Sequence, residues 1–300
     1  MAERPPEELC LAEALEAVPG VSVREREPMS RHTPLRVGGP ADLFAVVRDI
    51  SALKEVRRMA RKDRTRMMLH WPHQDVVVKD GGVRGLVVRP GSGFETLAHP
   101  AADLITLGGA TPFAALEGLG PGWWSGLTSW PGTPGGVFHG GEQEHLTGMV
   151  SQVRWLRGRS IESHDIALAD PLPTMPDTAV LVDITLRPGL LASRALGRVG
   201  PAPSGLLFSD PPVARGGGRS AGEILDDARL TGTRLREWRL APEAPGRVIN
   251  LGGGTARDLI MLAKGVSARC EQLLGLPLEL RLPVVGEAPA RLRRPLRRGR

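Results

Sequence analysis

The sequence predicts an α+β protein built from three parts, and two observations lead to this fold class. A few segments have apolar residues at helical spacing together with helix start and stop signals, and short runs rich in β-branched residues lie between them. The amino-acid composition also changes along the chain: glycine and proline become more frequent after residue 90, and a connector rich in glycine, alanine and proline follows residue 190. A chain of 300 residues is long enough for such a division.

The first part is predicted to contain an N-terminal extension, residues 1–24, and a β-β-α-β-β unit, residues 25–90. Residues 8–18 have helical spacing and stop at Pro19 and Gly20. Then follow strand, Gly-Gly turn and strand in "RHTPLRVGGPADLFAVV", a helix in "DISALKEVRRMARKD", a strand in "TRMMLH" and a hairpin in "VVVKDGGVRGLVVRP". Asp49 or Ser51 caps the helix, and its apolar face comprises Leu53, Val56 and Met59.

The middle part, residues 91–190, is predicted to form short strands separated by loops rich in glycine and proline. The strands are "LITLGG", "MVSQVRWLRG" and "AVLVDITLRP". The last of these is predicted to be a strand with one face more buried than the other. Two sets of residues alternate along it: Val180, Val182, Ile184 and Leu186 with Leu181, Asp183 and Thr185.

The last part, residues 191–287, begins with a connector over about 191–202. A helix opened by Ser220 follows, then a strand and turn in "GRVINLGGG", a long amphipathic helix and a closing strand in "LELRLPVV". Thr255 is the predicted cap of the long helix. Its apolar face has spacings of three or four: Leu259, Leu262, Val266 and Cys270.

The positive charge is concentrated at the C-terminus. The formal net charge is +6, and the last ten residues, "RLRRPLRRGR", contain six arginines. Without these arginines the formal charge of the chain would be zero. Such a tail could contact nucleic acid, anionic lipid or an acidic partner. The simpler interpretation is a solvated, disordered appendage over residues 288–300.

Other features bound the class of protein. No apolar run approaches the length of a membrane span, and the N-terminus lacks the features of a secretory signal, so we expect a cytoplasmic protein. Cys10 and Cys270 are expected to be free thiols. The segments "HWPH" and "HGGEQEH" have spacings that metal ligands can use, but they lie in loops without cysteine, and we expect no metal.

Five stretches in order carry a resemblance to a known family: "HTPLRVGGPADL", "VVVKDGGVRGLVVR", "SGLTSWPGTPGG", "SAGEILDDARLTGTRL" and "VINLGGGTARDLIMLAKGV". Over residues 31–287 the chain resembles the UDP-N-acetylenolpyruvoylglucosamine reductase (UDP-N-acetylmuramate dehydrogenase) family of peptidoglycan precursor synthesis. The resemblance implies two FAD-binding subdomains of the vanillyl-alcohol-oxidase type and a C-terminal α+β substrate domain. It also implies FAD and NADPH as cofactors.

The cofactor segments depart from the family pattern. Where the family has a Gly-Gly-Gly-Ser-Asn loop that approaches the FAD pyrophosphate, this sequence has "WPHQD", residues 71–75. Pro72 has no backbone N–H, Trp71 is bulky and Asp75 is negatively charged. His73 and Gln74 are the remaining candidate donors. The second glycine-rich loop keeps "GTPGG", which supplies the candidates Thr133, Gly135 and Gly136, but the loop is shortened after it.

The catalytic positions of the family are not matched either. The proton-donating serine of the family falls on Leu206, and a motif lysine falls on Ser209. The family arginine has no counterpart, because residues 160–186 contain neither arginine nor lysine. The catalytic glutamate falls on Arg281, which leaves Glu279, two residues earlier, as the nearest substitute. Ser209 and Glu279 are therefore the candidate catalytic residues.

Three hypotheses follow. The chain is a working flavin reductase with surrogate groups, or a pseudoenzyme that keeps the scaffold and binds a UDP-sugar or a cell-wall partner, or a scaffold that acts through its basic tail. The number of lost groups favours the second, since removal of a single proton donor or oxyanion stabiliser costs on the order of 10²–10⁴ in rate. We expect a monomer. The tryptophans at 71, 123, 124 and 130 are expected to fill volume in the absence of a flavin.

Overall fold

The computed structural model describes residues 10–128, 130, 132–140, 143–168, 170–176, 178–188 and 205–288. The predicted connector at 191–202 and residues 289–300 of the predicted basic tail lie outside the described residues, as do residues 1–9 of the predicted extension.

The described part of the chain contains both helices and strands, as expected of an α+β protein. The helices are α1 (Leu11–Glu16), α2 (Ile50–Lys62), α3 (Pro134–Gly140), α4 (Val213–Gly216), α5 (Ala221–Asp227) and α6 (Ala256–Leu274). The strands are β1 (Val21–Pro28), β2 (Pro40–Val47), β3 (Met67–Leu69), β4 (Val77–Val78), β5 (Val83–Pro90), β6 (Leu97–Ala101), β7 (Leu104–Gly108), β8 (Val150–Arg157), β9 (Ser160–Asp165), β10 (Val180–Leu186), β11 (Arg234–Leu235), β12 (Trp238–Leu240), β13 (Val248–Asn250) and β14 (Val284–Val285).

The first sheet has the strand order β1-β2-β5-β3. Strand β1 is antiparallel to β2, whereas β2, β5 and β3 are mutually parallel. Helix α2 begins after Asp49, whose carboxylate accepts a hydrogen bond from the backbone N–H of Ala52 at 2.9 Å, so Asp49 is confirmed as the cap. Leu53 and Val56 are fully buried on the predicted apolar face of this helix.

The predicted hairpin in "VVVKDGGVRGLVVRP" is wrong. Strand β5 lies between β2 and β3, so both of its edges are already paired, and β4 pairs instead with the C-terminal strand β14 in parallel. The turn between β4 and β5 fits closely against the chain, because a β-carbon on Gly82 would overlap the carbonyl oxygen of Pro40. The turn is present where the local sequence predicts it, but the partners of both strands are distant in sequence.

The strand expected at the start of "RHTPLRVGG" is also wrong. Met29–Arg31 form a 3₁₀ turn, and the side chain of Thr33 bonds to both the N–H and the C=O of Val37, which closes a loop. The real partner of β2 is β1, whose sequence "VSVREREP" is polar because most of this edge strand is exposed.

The second sheet, of order β6-β7-β10-β8-β9, is antiparallel. Its central strand β10 does not have the one-sided burial that its alternation predicts. Leu181, Asp183 and Thr185 are also buried, because both faces of the sheet are covered at this strand. The carboxylate of Asp183 accepts a hydrogen bond from Nε of Arg154 at 2.8 Å, which compensates its burial.

The C-terminal part contains the sheet β11-β12-β13 and the helices α5 and α6. Ser220 caps α5 in a capping box with Glu223, and the hydroxyl of Thr255 accepts from the N–H of Asp258 at 3.1 Å, so both predicted caps are confirmed. The apolar face of α6 is buried as predicted, including Cys270. Cys10 and Cys270 are free, as expected. Of the predicted closing strand, only β14 and a single bridge at Leu280 are present.

Contacts from several segments join the first part to the C-terminal part. The carboxylate of Asp80 accepts from the backbone N–H groups of Ala256, at 2.8 Å, and Arg257, at 3.0 Å, at the start of α6. The side-chain amide of Asn250 donates to the carbonyl of Leu35 at 3.0 Å. The β4–β14 pair also joins the two parts. The predicted subdomain boundaries near 90 and 190 remain predictions, and one hydrophobic cluster runs from Leu15 to Leu186 across the first of them.

Candidate functional site

The loop 71–75, which follows strand β3, is folded around the indole of Trp71. This ring is fully buried in the main hydrophobic cluster. It lies against two glycine backbones: a β-carbon on Gly135 would overlap the indole, and one on Gly109 would lie 2.8 Å from Cη2 of the ring. Phe94 packs edge-on against it with 6.4 Å between ring centroids. The indole therefore occupies the space that glycines leave open in this part of the fold.

The indole nitrogen also has a polar partner inside the protein. Nε1 of Trp71 donates to Nδ1 of His139 at 2.7 Å, and the two rings are tilted with centroids 5.4 Å apart. The same Nδ1 also lies 3.0 Å from the carbonyl oxygen of Gly135, so the imidazole lies between the indole and the backbone of α3. A buried indole needs such an acceptor, so His139, at the end of helix α3, completes the environment of Trp71.

The backbone N–H groups of the two glycine-loop counterparts bond within the protein. The N–H of Trp71 donates to Oε1 of Gln74 at 3.1 Å, and the N–H of Gln74 donates to the carbonyl of Trp71 at 3.2 Å. In the second segment, the N–H of Gly135 donates to the carbonyl of Gly109 at 2.8 Å. The N–H of Gly136 donates to Oγ1 of Thr133 at 3.2 Å. These four donors are consumed by protein acceptors.

The structure brings the five candidate cofactor residues to one place. Oγ1 of Thr133, which is fully buried, lies 3.4 Å from the carbonyl oxygen of Pro72. A β-carbon on Gly136 would lie 3.7 Å from Cα of Gln74. His73 is exposed and has a positive φ of 57°. The loop 71–75 and the segment 132–136 thus contact each other directly, without a gap between them.

Asp75 connects this loop to the C-terminal part. Its Oδ2 accepts a hydrogen bond from the backbone N–H of Gly205 at 3.1 Å. Gly205 has a φ of +88°, which favours glycine, and it directly precedes Leu206. The carboxylate of Asp75 therefore holds the segment that begins at Gly205, where the resemblance implies a proton donor.

The candidate catalytic residues Ser209 and Glu279 are also neighbours. The backbone N–H of Ser209 donates to the carbonyl of Glu279 at 3.0 Å, next to the bridge between Phe208 and Leu280. Both residues line a cavity of about 350 Å³ together with Arg215, which lies on helix α4. Asp210 at its edge accepts from the N–H of Ala221 at 2.7 Å and so orients helix α5.

The positions that match the family's catalytic motifs lie elsewhere on these two segments. Leu206 is half-buried and forms a bridge with Arg247, and it does not line the cavity next to Ser209. Arg281 bonds through its N–H to the carbonyl of Leu207 at 3.0 Å. The surrogate pair and the motif position of the proton donor are therefore not part of one cavity.

A buried polar cluster near the loop was missed by the sequence analysis. Nε2 of His32 lies 3.0 Å from Oε1 of Glu27, and Nδ1 of His32 lies 3.2 Å from Nη1 of Arg89. Nε2 of His70, which is 1% exposed, donates to the carbonyl of His32 at 3.1 Å. We name Glu27, His32, His70 and Arg89 the histidine cluster. The only signal was the histidine that opens "HTPLRVGG", and its three partners come from three other segments of the chain.

Burial and charge perturb the titration of the histidine cluster. Burial and the nearby Arg89 guanidinium lower the pKa of His70 to about 4, against the opposing effect of its hydrogen bond to the carbonyl of His32. Burial also lowers the pKa of His32, although Glu27 opposes this. Burial raises the pKa of Glu27, but the bond to His32 and the surrounding cations outweigh it, so that the net shift is downward.

In the described part of the chain, no helix is long and apolar enough to cross a membrane. No group of three or more potential metal ligands occurs among the described residues either. Glu142 of "HGGEQEH" lies outside them.

Comparisons with known proteins agree with the resemblance in the sequence. Residues 199–285 match the family model of the C-terminal domain of UDP-N-acetylenolpyruvoylglucosamine reductase. UDP-N-acetylenolpyruvoylglucosamine reductase 2 of Symbiobacterium thermophilum is 28% identical over 311 residues, which cover 93% of this chain and 98% of the relative. The reductase of Heliobacterium modesticaldum is 29% identical over 297 residues, covering 88% and 91% of the two chains.

A solved structure shows the same fold. The crystal structure of UDP-N-acetylenolpyruvylglucosamine reductase from Thermus caldophilus superposes with a TM-score of 0.66 at 21% identity, and the match covers 89% of this chain and all of that one. The expected fold class, a flavin-binding type of fold followed by a C-terminal α+β domain, is confirmed. Together, the sequence matches over most of the chain and the shared fold show that this chain is similar to the UDP-N-acetylenolpyruvoylglucosamine reductases.

Proposed function

We propose that this chain keeps the reductase scaffold as a pseudoenzyme: it does not hold FAD, it does not reduce an enolpyruvyl substrate, and it acts by binding in peptidoglycan precursor synthesis. One observation carries the proposal. The fully buried indole of Trp71 packs on Gly109 and Gly135, at the junction of the two segments that correspond to the flavin loops of the family.

The residues of these two segments do not fit a flavin pyrophosphate. A pyrophosphate needs several free backbone N–H groups that converge on it. Here the backbone N–H groups of Trp71 and Gln74 have protein acceptors, as do those of Gly135 and Gly136. Pro72 has no backbone N–H. The carboxylate of Asp75 adds a negative charge beside the loop. Separating the two segments to admit a cofactor would expose a core tryptophan to water.

The catalytic positions support the same proposal. Leu206 cannot donate a proton, and the absence of arginine and lysine from residues 160–186 removes the enol-stabilising cation. Without a flavin there is no acceptor for hydride from NADPH, so we expect neither FAD nor NADPH to act in this protein. The remaining site is the cavity lined by Ser209 and Glu279, to which we assign binding of a UDP-sugar. We also propose that the protein is cytoplasmic and monomeric.

Flavin content tests the first part of the proposal. The full chain, purified and then incubated with excess FAD, should show no stoichiometric visible absorption of flavin and no change in the melting temperature, since only a ligand that binds the native state stabilises it. The matched control is Trp71→Gly, which should also remain colourless because Pro72 and Asp75 are unchanged. A yellow preparation of the natural sequence would contradict the proposal.

NADPH oxidation tests the chemistry. We expect no oxidation that depends on UDP-N-acetylglucosamine enolpyruvate, with FAD in excess, and Leu206→Ser alone should not restore it. Substrate-dependent turnover that Ser209→Ala or Glu279→Ala abolishes would show instead that these two residues have taken over catalysis. Calorimetric titration with UDP-N-acetylglucosamine tests binding: saturable binding that Glu279→Ala changes supports the assignment of the cavity, and its absence removes it.

A further inference from the structure

A second cavity lies where helix α2 meets the strands β3 and β10. It measures about 280 Å³. It does not include the Trp71 loop or the cavity next to Ser209. The lining residues that matter for its chemistry are Arg57 and Arg61 on α2, Thr65 after this helix, Met67 and Leu69 on β3, and Thr178 before β10.

Arg57 is a buried cation without an acidic partner among the described residues. Only 8% of its surface is exposed. Its Nη2 donates to the backbone carbonyl of Thr178, whereas its buried Nη1 has no hydrogen-bond acceptor in the described part of the chain. Burial lowers the pKa of Arg57, and the charge of Arg61 lowers it further. A buried guanidinium with a missing acceptor is costly, and an anion would supply both the acceptor and the countercharge.

The charged side chains among the described lining residues of this cavity are positive, which favours binding of an anion. Arg61 follows Arg57 by one helical turn and is exposed at the cavity. The described lining residues include neither aspartate nor glutamate. The carboxylate of Asp63, which is exposed, accepts a hydrogen bond from the hydroxyl of Thr65, one of the lining residues.

We propose that this cavity binds a small phosphate-type oxyanion, either inorganic phosphate or a phosphate monoester. The unpartnered Nη1 of Arg57 supplies a charged donor to a phosphate oxygen, and Arg61 adds a second positive charge to the lining. The aliphatic walls formed by Met67 and Leu69 suit the organic part of an ester. The site is independent of the proposed loss of flavin, since it shares no residue with the Trp71 loop.

Calorimetric titration of the full chain tests the site with three probes: inorganic phosphate, uridine 5′-monophosphate and uridine. Phosphate and the monophosphate should bind saturably and uridine should not. Tighter binding of the monophosphate identifies an ester as the ligand, and binding of phosphate alone identifies the free ion. Absence of saturable binding for both anions would overturn the proposal, as would equal binding of uridine and its monophosphate.

Variants on the same helix locate the binding. Arg57→Met should weaken phosphate binding by at least about tenfold, and Arg61→Gln by several-fold. The matched control is Arg58→Gln, which removes the same charge from an exposed side chain that pairs with Glu55. Equal weakening by Arg58→Gln and Arg61→Gln would show general attraction to a basic surface and would overturn the site.

A further pair keeps the test decisive if Arg57→Met does not fold. Asp63→Asn removes the exposed negative charge at the rim, so it should tighten phosphate binding while Arg61→Gln weakens it. Unchanged affinity in both of these variants would overturn the proposal.

Discussion

Trp71 stands at a position where the family resemblance implies a glycine, and its indole has become part of the core. It is fully buried, it bonds to His139 at 2.7 Å, and it contacts the backbones of Gly109 and Gly135. A single residue thus joins the loop 71–75 to helix α3 and to the end of β7. The same contacts predict that Trp71 and Gly135 depend on each other energetically.

We predict a large coupling between Trp71 and Gly135. Gly135→Ala in the natural chain should lower the free energy of unfolding by about 1–3 kcal/mol, because its methyl group overlaps the indole. Trp71→Ala should cost about 3–5 kcal/mol by leaving a cavity. In the Trp71→Ala background, Gly135→Ala should cost almost nothing. Urea unfolding of the natural chain, the two single variants and the double variant measures this double-mutant cycle.

The control for this cycle is Gly118→Ala, since a β-carbon at Gly118 meets no atom within 4 Å. Its effect should be small and the same in both backgrounds. Additive effects of Trp71→Ala and Gly135→Ala would mean that the indole does not lie against Gly135, and the proposed obstruction of the flavin loops would lose its basis.

His70 illustrates a second effect at the residue scale, because its protonation is coupled to folding. An unfolded histidine has a pKa near 6.5, whereas His70 in the folded chain has a pKa of about 4. Between these values the unfolded state binds a proton that the folded state does not bind. Its contribution to stability is therefore complete above pH 6.5 and is lost as the pH falls toward 4.

We predict that the free energy of unfolding falls between pH 6.5 and 4, with a contribution from His70 of up to about 3 kcal/mol. The glutamine in His70→Gln cannot titrate but can still donate to the carbonyl of His32. The fall in the free energy of unfolding between pH 6.5 and 4 should therefore be smaller in this variant by this amount. Glu27 and His32 remain in the variant, and the difference between the two slopes isolates His70. His73→Asn, at an exposed histidine with positive φ, is the control and should keep the slope of the natural chain. Parallel slopes for His70→Gln and the natural chain would contradict the assignment.

At the scale of elements, helix α6 depends on a residue from another part of the chain. Thr255 satisfies one N–H at the start of the helix, and the carboxylate of Asp80 satisfies two more, those of Ala256 and Arg257. A negative charge at this end also interacts favourably with the helix dipole. The turn between β4 and β5 thus holds the helix on which the C-terminal core is built.

We predict that Asp80→Ala lowers the free energy of unfolding by about 1–3 kcal/mol, since two helix N–H groups lose a charged acceptor. Asp80→Asn keeps one oxygen acceptor and should recover part of the loss. Asp103→Ala, in an exposed turn, is the control for loss of one carboxylate. Chemical denaturation measures all three variants, and equal small effects for Asp80→Ala and Asp103→Ala would show that the cap contributes nothing.

At the scale of the whole molecule, residues from the first part of the chain complete the core of the C-terminal part. Its hydrophobic cluster includes Leu35, Val37 and Val77, which come from the first part of the chain. Strand β14 pairs with β4, and the backbone of Glu287 bonds to those of Gly81 and Gly82 at 2.9 Å. The two parts share a core and a strand pairing, so we expect them to unfold together.

We predict that residues 205–288 do not fold alone. The isolated fragment should lack a cooperative thermal transition and near-UV circular dichroism, because its core and the end of α6 would be exposed to water. The full chain under the same conditions is the control and should unfold in one transition. Cooperative unfolding of the fragment near the melting temperature of the full chain would contradict this prediction.

Local features were predicted well where short-range chemistry decides them. The caps Asp49, Ser220 and Thr255 act on N–H groups three residues away, and the apolar faces of α2 and α6 follow from helical spacing, so the sequence determined these helices directly. The order of the family motifs likewise determined the fold class. The same motifs located the residues of both candidate sites, whose roles remain proposals.

Pairings between distant segments were decided only by the tertiary structure. Strands β4 and β5 look like a hairpin because their turn signal is local, but their partners β14, β2 and β3 are chosen by packing and by free sheet edges. The histidine cluster and the buried Arg57 could not be predicted either, because a charged residue shows no sign of burial in its own sequence context. Substitution of the glycine loop was visible in the sequence. Only the structure showed that the new tryptophan lies between Gly109 and Gly135, because that position depends on contacts across more than 60 residues.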